Sequence, residues 1–494
     1  MLGVSELASG IFNTVPSLLV SVADRIIDWA PGPVVRIAIQ VFGSNDKAAL
    51  VELIMVVVLI VGAAAGSATR RSASIGPVVL ALLGLAGVLA AIGEPGASLP
   101  LVAVTTLIAV GIGILTLRGL VSFAGRSSAA DAEEDPRSRL RSRREFFGVL
   151  GGVAIVAVGA GVGGRALLNQ MAAYARALVR LPKPGQPAPP LPAGASLPVA
   201  GITPIVSTND TFYRIDTAID TPMVDPTTWS LHITGMVQRS IEISFADLLA
   251  MPMVEDYVTL TCVSNLVGGN LTGNARWLGV PIKDLLTRAG VQSGATQIVG
   301  RSLDGFTVGI PTEAVLDGRV ALVAVGMNGA PLPYEHGFPA RLVVSGLYGY
   351  VSATKWLSEL ELTTFEAFDA FWVERGWAQQ GPIKTESRID VPQNGRSLRA
   401  GMVPVAGVAW AQTRGISRVQ VRIDDQPWQD AMLAQAIGIN CWRQWVLYWN
   451  ANPGSHTLAV RATDGNNITQ TSTDQDPPPD GATGYHTIVV EVNG

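Results

Sequence analysis

The chain has only two cysteines, Cys262 and Cys441, and only four histidines in 494 residues. Two cysteines exclude a disulfide framework, although a single bridge between them stays open. His232, His336, His456 and His486 all lie in the second half, so no segment of the first half can hold a haem through paired histidines, and no haem is expected. Charged residues make up just 15% of the chain, and the formal net charge is −4. Without a basic stripe interleaved with aromatics, that balance gives no footprint for nucleic acid. A fixed-period repeat is also missing.

What the chain has in excess is apolar length. A mean hydropathy of +0.34 is too high for a wholly soluble protein, and the excess sits almost entirely before residue 165. Apolar runs cover Ile75–Gly93, Leu101–Leu117 and Phe146–Gly164 without a charge, and Leu53–Ala68 beside Glu52. Each is close to the roughly 20 residues that a helix needs to cross the hydrocarbon core. Leu7–Ala30 is weaker, because Asp24, Arg25 and Asp28 interrupt it. Counting it gives about five crossings in residues 1–170, although an interfacial amphipathic helix is an equal account of that first run.

Positive charge sets the direction. Arg70-Arg71 and the seven arginines from Arg118 to Arg144 mark two cytoplasmic loops by the positive-inside rule. The N-terminus is then cytoplasmic, and everything after the last crossing faces outward from the plasma membrane. Ser142-Arg143-Arg144-Glu145-Phe146-Phe147 looks like an internal twin-arginine signal, which implies the twin-arginine export machinery as a partner. An ordinary basic anchor explains the same residues.

Seven prolines between Leu181 and Ala200 favour polyproline II, so residues 171–201 are expected to form an extended linker holding the next domain clear of the lipid. Residues 202–380 mix short β-rich runs, such as Trp229–Ile233 and Leu342–Ser345, with helical pieces at Phe245–Leu249 and Ile282–Ala289. That is an α+β pattern. Residues 381–494 change to alternation at Val419–Ile423, Trp445–Trp449, Thr457–Arg461 and His486–Val492, separated by turn-rich segments. Several short strands in roughly 110 residues predict an immunoglobulin-like β-sandwich. The fold class is thus multidomain: a helical transmembrane bundle, an α+β domain and a β-sandwich.

Cys262 stands in Thr261-Cys262-Val263-Ser264-Asn265, a polar stretch in which a thiolate can serve as a soft metal ligand. A buried structural thiol or a bridge to Cys441 fits the residue equally well by itself. The surrounding blocks add more: Asn209-Asp210-Thr211-Phe212-Tyr213, then His336-Gly337-Phe338-Pro339-Ala340-Arg341, then Ser352-Ala353-Thr354-Lys355-Trp356-Leu357. Together and in this order they resemble the sulfite oxidase family of molybdenum cofactor enzymes. The resemblance covers about residues 203–492 and extends to the family's terminal dimerisation domain, which implies a homodimer.

By that resemblance Cys262 is the metal ligand and catalytic centre. Asn209, Phe212 and Tyr213 match the first pterin-contacting segment, His336 and Arg341 the clamp on the pterin phosphate, and Ser352, Thr354 and Lys355 its closing turn. The chemistry is consistent, since a guanidinium grips phosphate with two parallel hydrogen bonds and an ammonium adds a point charge. The implied cofactor is molybdenum-molybdopterin, and electrons pass to a separate carrier or a quinone.

Two departures concern the substrate. Leu266-Val267-Gly268-Gly269 stands where sulfite-oxidising members carry arginines, and Asp210 where they have a histidine. Without cations a dianion site loses charge-assisted contacts of about 1.5–3 kcal/mol each, so typical sulfite oxidation is not expected. A second branch, the molybdopterin-dependent protein methionine sulfoxide reductases of the bacterial envelope, shares the Asn-x-x-Phe-Tyr arrangement and the export route but lacks the sandwich. The sequence therefore predicts a membrane-anchored, outward-facing oxidoreductase for oxygen-atom transfer on a small or protein-bound substrate. The alternative is a cell-surface binding or scaffold protein with a metal-free domain of the same kind.

Overall fold

The structure is a computed structural model that describes the chain apart from residues 13, 32–33, 35–36, 38–40, 43–45, 95–96 and 131–135, and apart from the side chains of 46, 124–130, 136–143 and 145–146. It divides into two compact units, Met1–Ala175 with Thr217–Met223, and Arg176–Asp216 with Val224–Gly494.

The first unit is helical. Among the described residues three helices are long and apolar enough to cross a membrane, at Lys47–Thr69, Leu99–Phe123 and Phe147–Leu178. Their apolar side chains are largely uncovered, as in Leu59, Ile60, Leu107, Leu115, Ile155 and Val156, which is the pattern of lipid-facing surface. Two of the five expected crossings fall short. Ile75–Ala91 forms an apolar helix of 17 residues, about 26 Å at 1.5 Å per residue against a core of about 30 Å. The first apolar run is split into Leu2–Ile11 and Leu18–Trp29. The break has a local cause: Pro16 interrupts the backbone donors, and the Ser17 hydroxyl accepts from the amide of Val20 at 3.4 Å, capping a new helix.

The twin-arginine residues lie on the long helix Pro136–Leu178. The side chains of Ser142, Arg143, Glu145 and Phe146 are outside the described residues, and Arg144 is exposed.

The second unit opens with the Pro-rich segment. Its residues have almost no regular structure, as proline requires, but they are docked along the globular unit and do not form the free spacer expected. Gln186 bridges to Val254 in parallel, the amide of Leu197 donates to Gln444 at 2.7 Å, and Ala195 is buried in the core. Strands β1 (Ser230–Gly235), β2 (Ile241–Ser244), β3 (Val254–Thr261), β4 (Thr272–Pro281), β5 (Gln297–Ser302), β6 (Thr307–Pro311), β7 (Ala321–Met327), β8 (Ala330–Pro331), β9 (Arg341–Val344) and β10 (Leu357–Thr363) follow. They build two sheets, β2-β1-β10-β5-β6 and β3-β4-β7-β8, with β9 paired to β7. Short helices connect them. Ile282–Ala289 turns Ile282, Leu285, Leu286 and Ala289 inward at helical spacing and ends at Gly290, whose φ of +72° closes the helix without a Cβ penalty.

The C-terminal region holds β11 (Glu386–Val391), β12 (Ser397–Arg399), β13 (Gly401–Trp410), β14 (Ile416–Ile423), β15 (Gln429–Asp430), β16 (Met432–Leu433), β17 (Arg443–Ala451), β18 (Gly454–Asp464) and β19 (His486–Asn493). Two sheets, β11-β13-β17-β16 and β12-β19-β18-β14-β15, enclose one core of Val405, Val421, Trp445, Val460 and Val490 among others, a two-sheet sandwich. The sandwich also joins the α+β core: Val408, Trp410 and Trp442 pack with Leu231, Leu278 and Leu342. The amide of Thr259 on β3 donates to Asn440 at 3.0 Å, and the Trp442 indole to Ile205 at 2.8 Å.

Candidate molybdenum cofactor site

β3 and β4 are an antiparallel pair ending at Thr261↔Thr272, and the loop between them carries Cys262. The Cys262 amide donates to Leu271 at 2.9 Å, continuing the ladder one step past the strand. Asn265 closes the loop, its Oδ1 accepting from the Leu271 amide at 2.8 Å. The thiol is free and half-buried. Burial pushes its pKa up, and hydrogen bonds from the backbone and hydroxyl of Ser264 pull it down. Cys441 is also free, fully buried, and donates to the Tyr257 carbonyl at 3.2 Å, which answers the question of a bridge between the two.

The first candidate segment packs beside this loop. Phe212 is buried, stacked on Tyr213 at 5.2 Å and edge-on to Trp277 at 5.6 Å and His336 at 5.5 Å. Tyr213 lies near Cys262 and Arg341, and burial raises its phenol well above the ordinary value. Gly349 packs here too, the position of its missing Cβ lying 3.7 Å from the Tyr213 hydroxyl and 3.8 Å from the Thr261 carbonyl. Asn209 accepts from Asn328 at 2.8 Å. Its carbonyl faces His336 Nε2 at 2.8 Å; because a carbonyl only accepts, Nε2 carries the proton. Burial first, and then Arg341, lower the His336 pKa to about 4, so the ring is neutral.

Arg341 begins β9 and is buried at 5% exposure. Its Nε, Nη1 and Nη2 donate to the carbonyls of Leu342 at 3.3 Å, His336 at 3.2 Å and Ala353 at 3.4 Å. The guanidinium lies 5.0 Å over the Trp277 ring. Those bonds use three of the five N–H groups a guanidinium carries, and no carboxylate is in ion-pair range among the described residues. Burial lowers its pKa to about 10, opposed by Tyr213 and Asp216. A buried cation without an anion is costly, and this one fits an anionic group held beside it.

The closing turn is placed differently. Ser352 donates its hydroxyl proton to Tyr348 at 2.9 Å and Leu347 at 3.1 Å, and Thr354 to Gly300 at 3.2 Å. Lys355 is paired with Asp216 and donates to the Glu335 carbonyl at 2.9 Å; burial lowers its pKa to about 8 against the pull of Asp216. Asp216, which also binds Arg214 at 2.7 Å, was not picked out from the sequence, where an Arg-x-Asp triplet gives no cue to a lysine 139 residues away. Glu386 was missed too. It is fully buried under the Cys262 loop, 3.5 Å from both the Asn265 amide and the Tyr348 hydroxyl, and burial raises its pKa to about 8.

A free, partly buried cysteine, a buried guanidinium with unused donors and two stacked aromatics lie together and suit a metal bound to an anionic organic cofactor. Residues 218–372 match the family model described as an oxidoreductase molybdopterin binding domain. The chain is 34% identical over 157 residues to the uncharacterised oxidoreductase YuiH of Bacillus subtilis strain 168, covering 76% of that protein. It is 30% identical over 286 residues to the mitochondrial sulfite oxidase of Macaca fascicularis and 31% over 255 residues to that of Homo sapiens, spanning 52% and 46% of their lengths. The chain thus covers only about half of these oxidases. The crystal structure of the sulfane dehydrogenase SoxCD from Paracoccus pantotrophus matches 62% of the chain and 88% of its own, with a TM-score of 0.52 at 22% identity, and shares the fold. The chain belongs to the sulfite oxidase family of molybdopterin-dependent oxidoreductases, whose cofactor is molybdenum bound by molybdopterin.

Proposed function

We propose that the chain is a membrane-anchored molybdenum cofactor oxidoreductase facing outward from the plasma membrane, acting by oxygen-atom transfer on a small or protein-bound substrate. The reading rests above all on Arg341, a buried guanidinium bound only by carbonyl oxygens and lying over the Trp277 ring.

Cys262 would hold the metal through its thiolate. Arg341 and neutral His336 would bind the pterin phosphate, with Lys355 adding charge from its pair with Asp216. Asn209 orients His336, Phe212 and Tyr213 wall the cofactor, and Ser352 and Thr354 shape the closing turn through their main-chain bonds. Bound here, the cofactor supplies the two-electron oxygen-atom chemistry, and the protein supplies its position. Leu266, 59% exposed, and Val267 follow the ligand loop with no cation, which disfavours sulfite.

Outward orientation is supported by Arg70-Arg71 and the arginines from Arg118 to Arg144, and export by the twin-arginine machinery by Arg143-Arg144. An immunoglobulin-like terminal sandwich acting in a homodimer, and electron exchange with a separate carrier or a quinone, complete the proposal. Elemental analysis of the purified full chain beside its Cys262→Ser variant tests it. About one molybdenum per chain, with the metal's redox signal lost in the variant, is expected; equally negligible metal in both would favour the scaffold reading.

A further inference from the structure

The outer face of the sandwich carries a groove that the cofactor reading does not use. It has a volume of about 620 Å³ and is lined by Arg422, Trp428, Arg461, Asp474, Tyr485 and His486, with Val267 from the Cys262 loop at one side. Gln420 of β14 pairs with Arg461 of β18, so Arg422, two residues along β14, is the diagonal neighbour of Arg461 on the same face. Two like charges side by side on adjacent strands repel one another unless an anion or an aromatic face offsets them.

Both guanidiniums pack against one indole. The Arg422 and Arg461 guanidinium carbons stand 5.0 and 4.3 Å from the Trp428 ring centroid, and Tyr485 packs edge-on against that ring at 5.3 Å. Arg461 also donates through Nε and Nη2 to Gln420 Oε1 at 3.1 and 2.8 Å. Among the described residues neither arginine has a carboxylate within ion-pair range. Arg418, on the same face, shows the contrast: Asp430 binds it through two oxygens at 2.6 and 2.9 Å. Asp474 also lines the groove, its Oδ1 occupying the space that a Cβ on Gly484 would fill. His486 adds no charge, since its Nδ1 accepts from the Ile389 amide at 2.9 Å and burial lowers its pKa.

We propose that Arg422 and Arg461 form a binding site for a small oxyanion, a phosphate, sulfate or carboxylate group seated between the two guanidiniums and beside the Trp428 ring. Planar guanidinium forks suit such oxygens bidentately, and the stacked indole pre-orders both side chains, lowering the entropy lost on binding. The site abuts the loop after Cys262: His486 packs on Gly268, and Arg388 holds the Gly269 carbonyl at 2.7 Å. It stands independently of the cofactor assignment, because every residue in it belongs to the sandwich except Val267.

Equilibrium dialysis of radiolabelled inorganic phosphate against the cofactor-loaded, detergent-solubilised full chain tests the proposal, with loading keeping the pterin-phosphate site filled. We expect saturable binding that weakens with added salt and falls at least tenfold in Arg422→Gln/Arg461→Gln, with no change in Arg418→Gln. Circular dichroism checks the fold of each variant, and the single exposed change Arg422→Gln carries the same comparison should the double variant misfold. Absent saturable binding, or equal binding in wild type and arginine variants, overturns it.

Discussion

Arg341 is the residue whose chemistry is hardest to explain without a ligand. Its guanidinium is buried, and main-chain carbonyls hold it at 3.2–3.4 Å, at the long end for N–H···O contacts. Replacing it with Gln removes a charge-assisted contact worth about 1.5–3 kcal/mol, so Arg341→Gln should retain cofactor roughly tenfold to a hundredfold less well. Molybdenum content after gel filtration measures this; undiminished retention would show that Arg341 serves only the fold.

Glu386 makes the second residue-scale prediction. Its folded pKa of about 8 lies above the ordinary carboxyl value of 4.5, so the folded state binds the proton more tightly than the unfolded one. Stability is then greatest below pH 4.5 and is lost as pH rises from there through 8, by at most about 5 kcal/mol. Glu386→Gln keeps the neutral shape and should flatten that dependence while raising the denaturation midpoint at pH 8. An unchanged pH profile would contradict the assignment of a neutral buried acid.

At the level of elements, local pattern carried most of the information. Ile282–Ala289 was legible because apolar residues recur at helical spacing before a glycine, and the structure places the helix over those same residues. The strands at Val419–Ile423 and His486–Val492 were legible from alternation, and they fall within β14 and β19. Long-range pairing was not legible. Nothing local to Asp216 announces Lys355, nothing in Glu386 announces Asn265, and the prolines of residues 181–200 dictate extension without saying what the extended chain lies against. The first apolar run differed for another reason, because hydropathy sums over a window and does not register the stop at Pro16 and Ser17.

The seam between β3 and the sandwich is the element on which the Cys262 loop leans. Trp442, 2% exposed, gives its side chain to the α+β core and its indole proton to Ile205. Trp442→Ala should therefore destabilise the whole second unit by about 3–5 kcal/mol and unfold both of its parts in one transition, followed by calorimetry. Two separated transitions in the wild type would show that the shared core is not cooperative.

For the whole molecule, the proposed reading places a redox domain after a set of apolar helices and on the outer side of the membrane. If the twin-arginine residues direct that passage, Arg143→Lys with Arg144→Lys leaves the C-terminal half protected from protease added to intact cells. Normal surface exposure of the double variant would remove the export route while leaving the chemistry intact. On the proposed reading the chemistry depends on a single bond from the Cys262 sulfur to molybdenum. X-ray absorption at the molybdenum edge of the loaded full chain measures that bond directly. The account predicts one sulfur neighbour fewer in Cys262→Ser than in the wild type; an identical sulfur shell in the two proteins would contradict it.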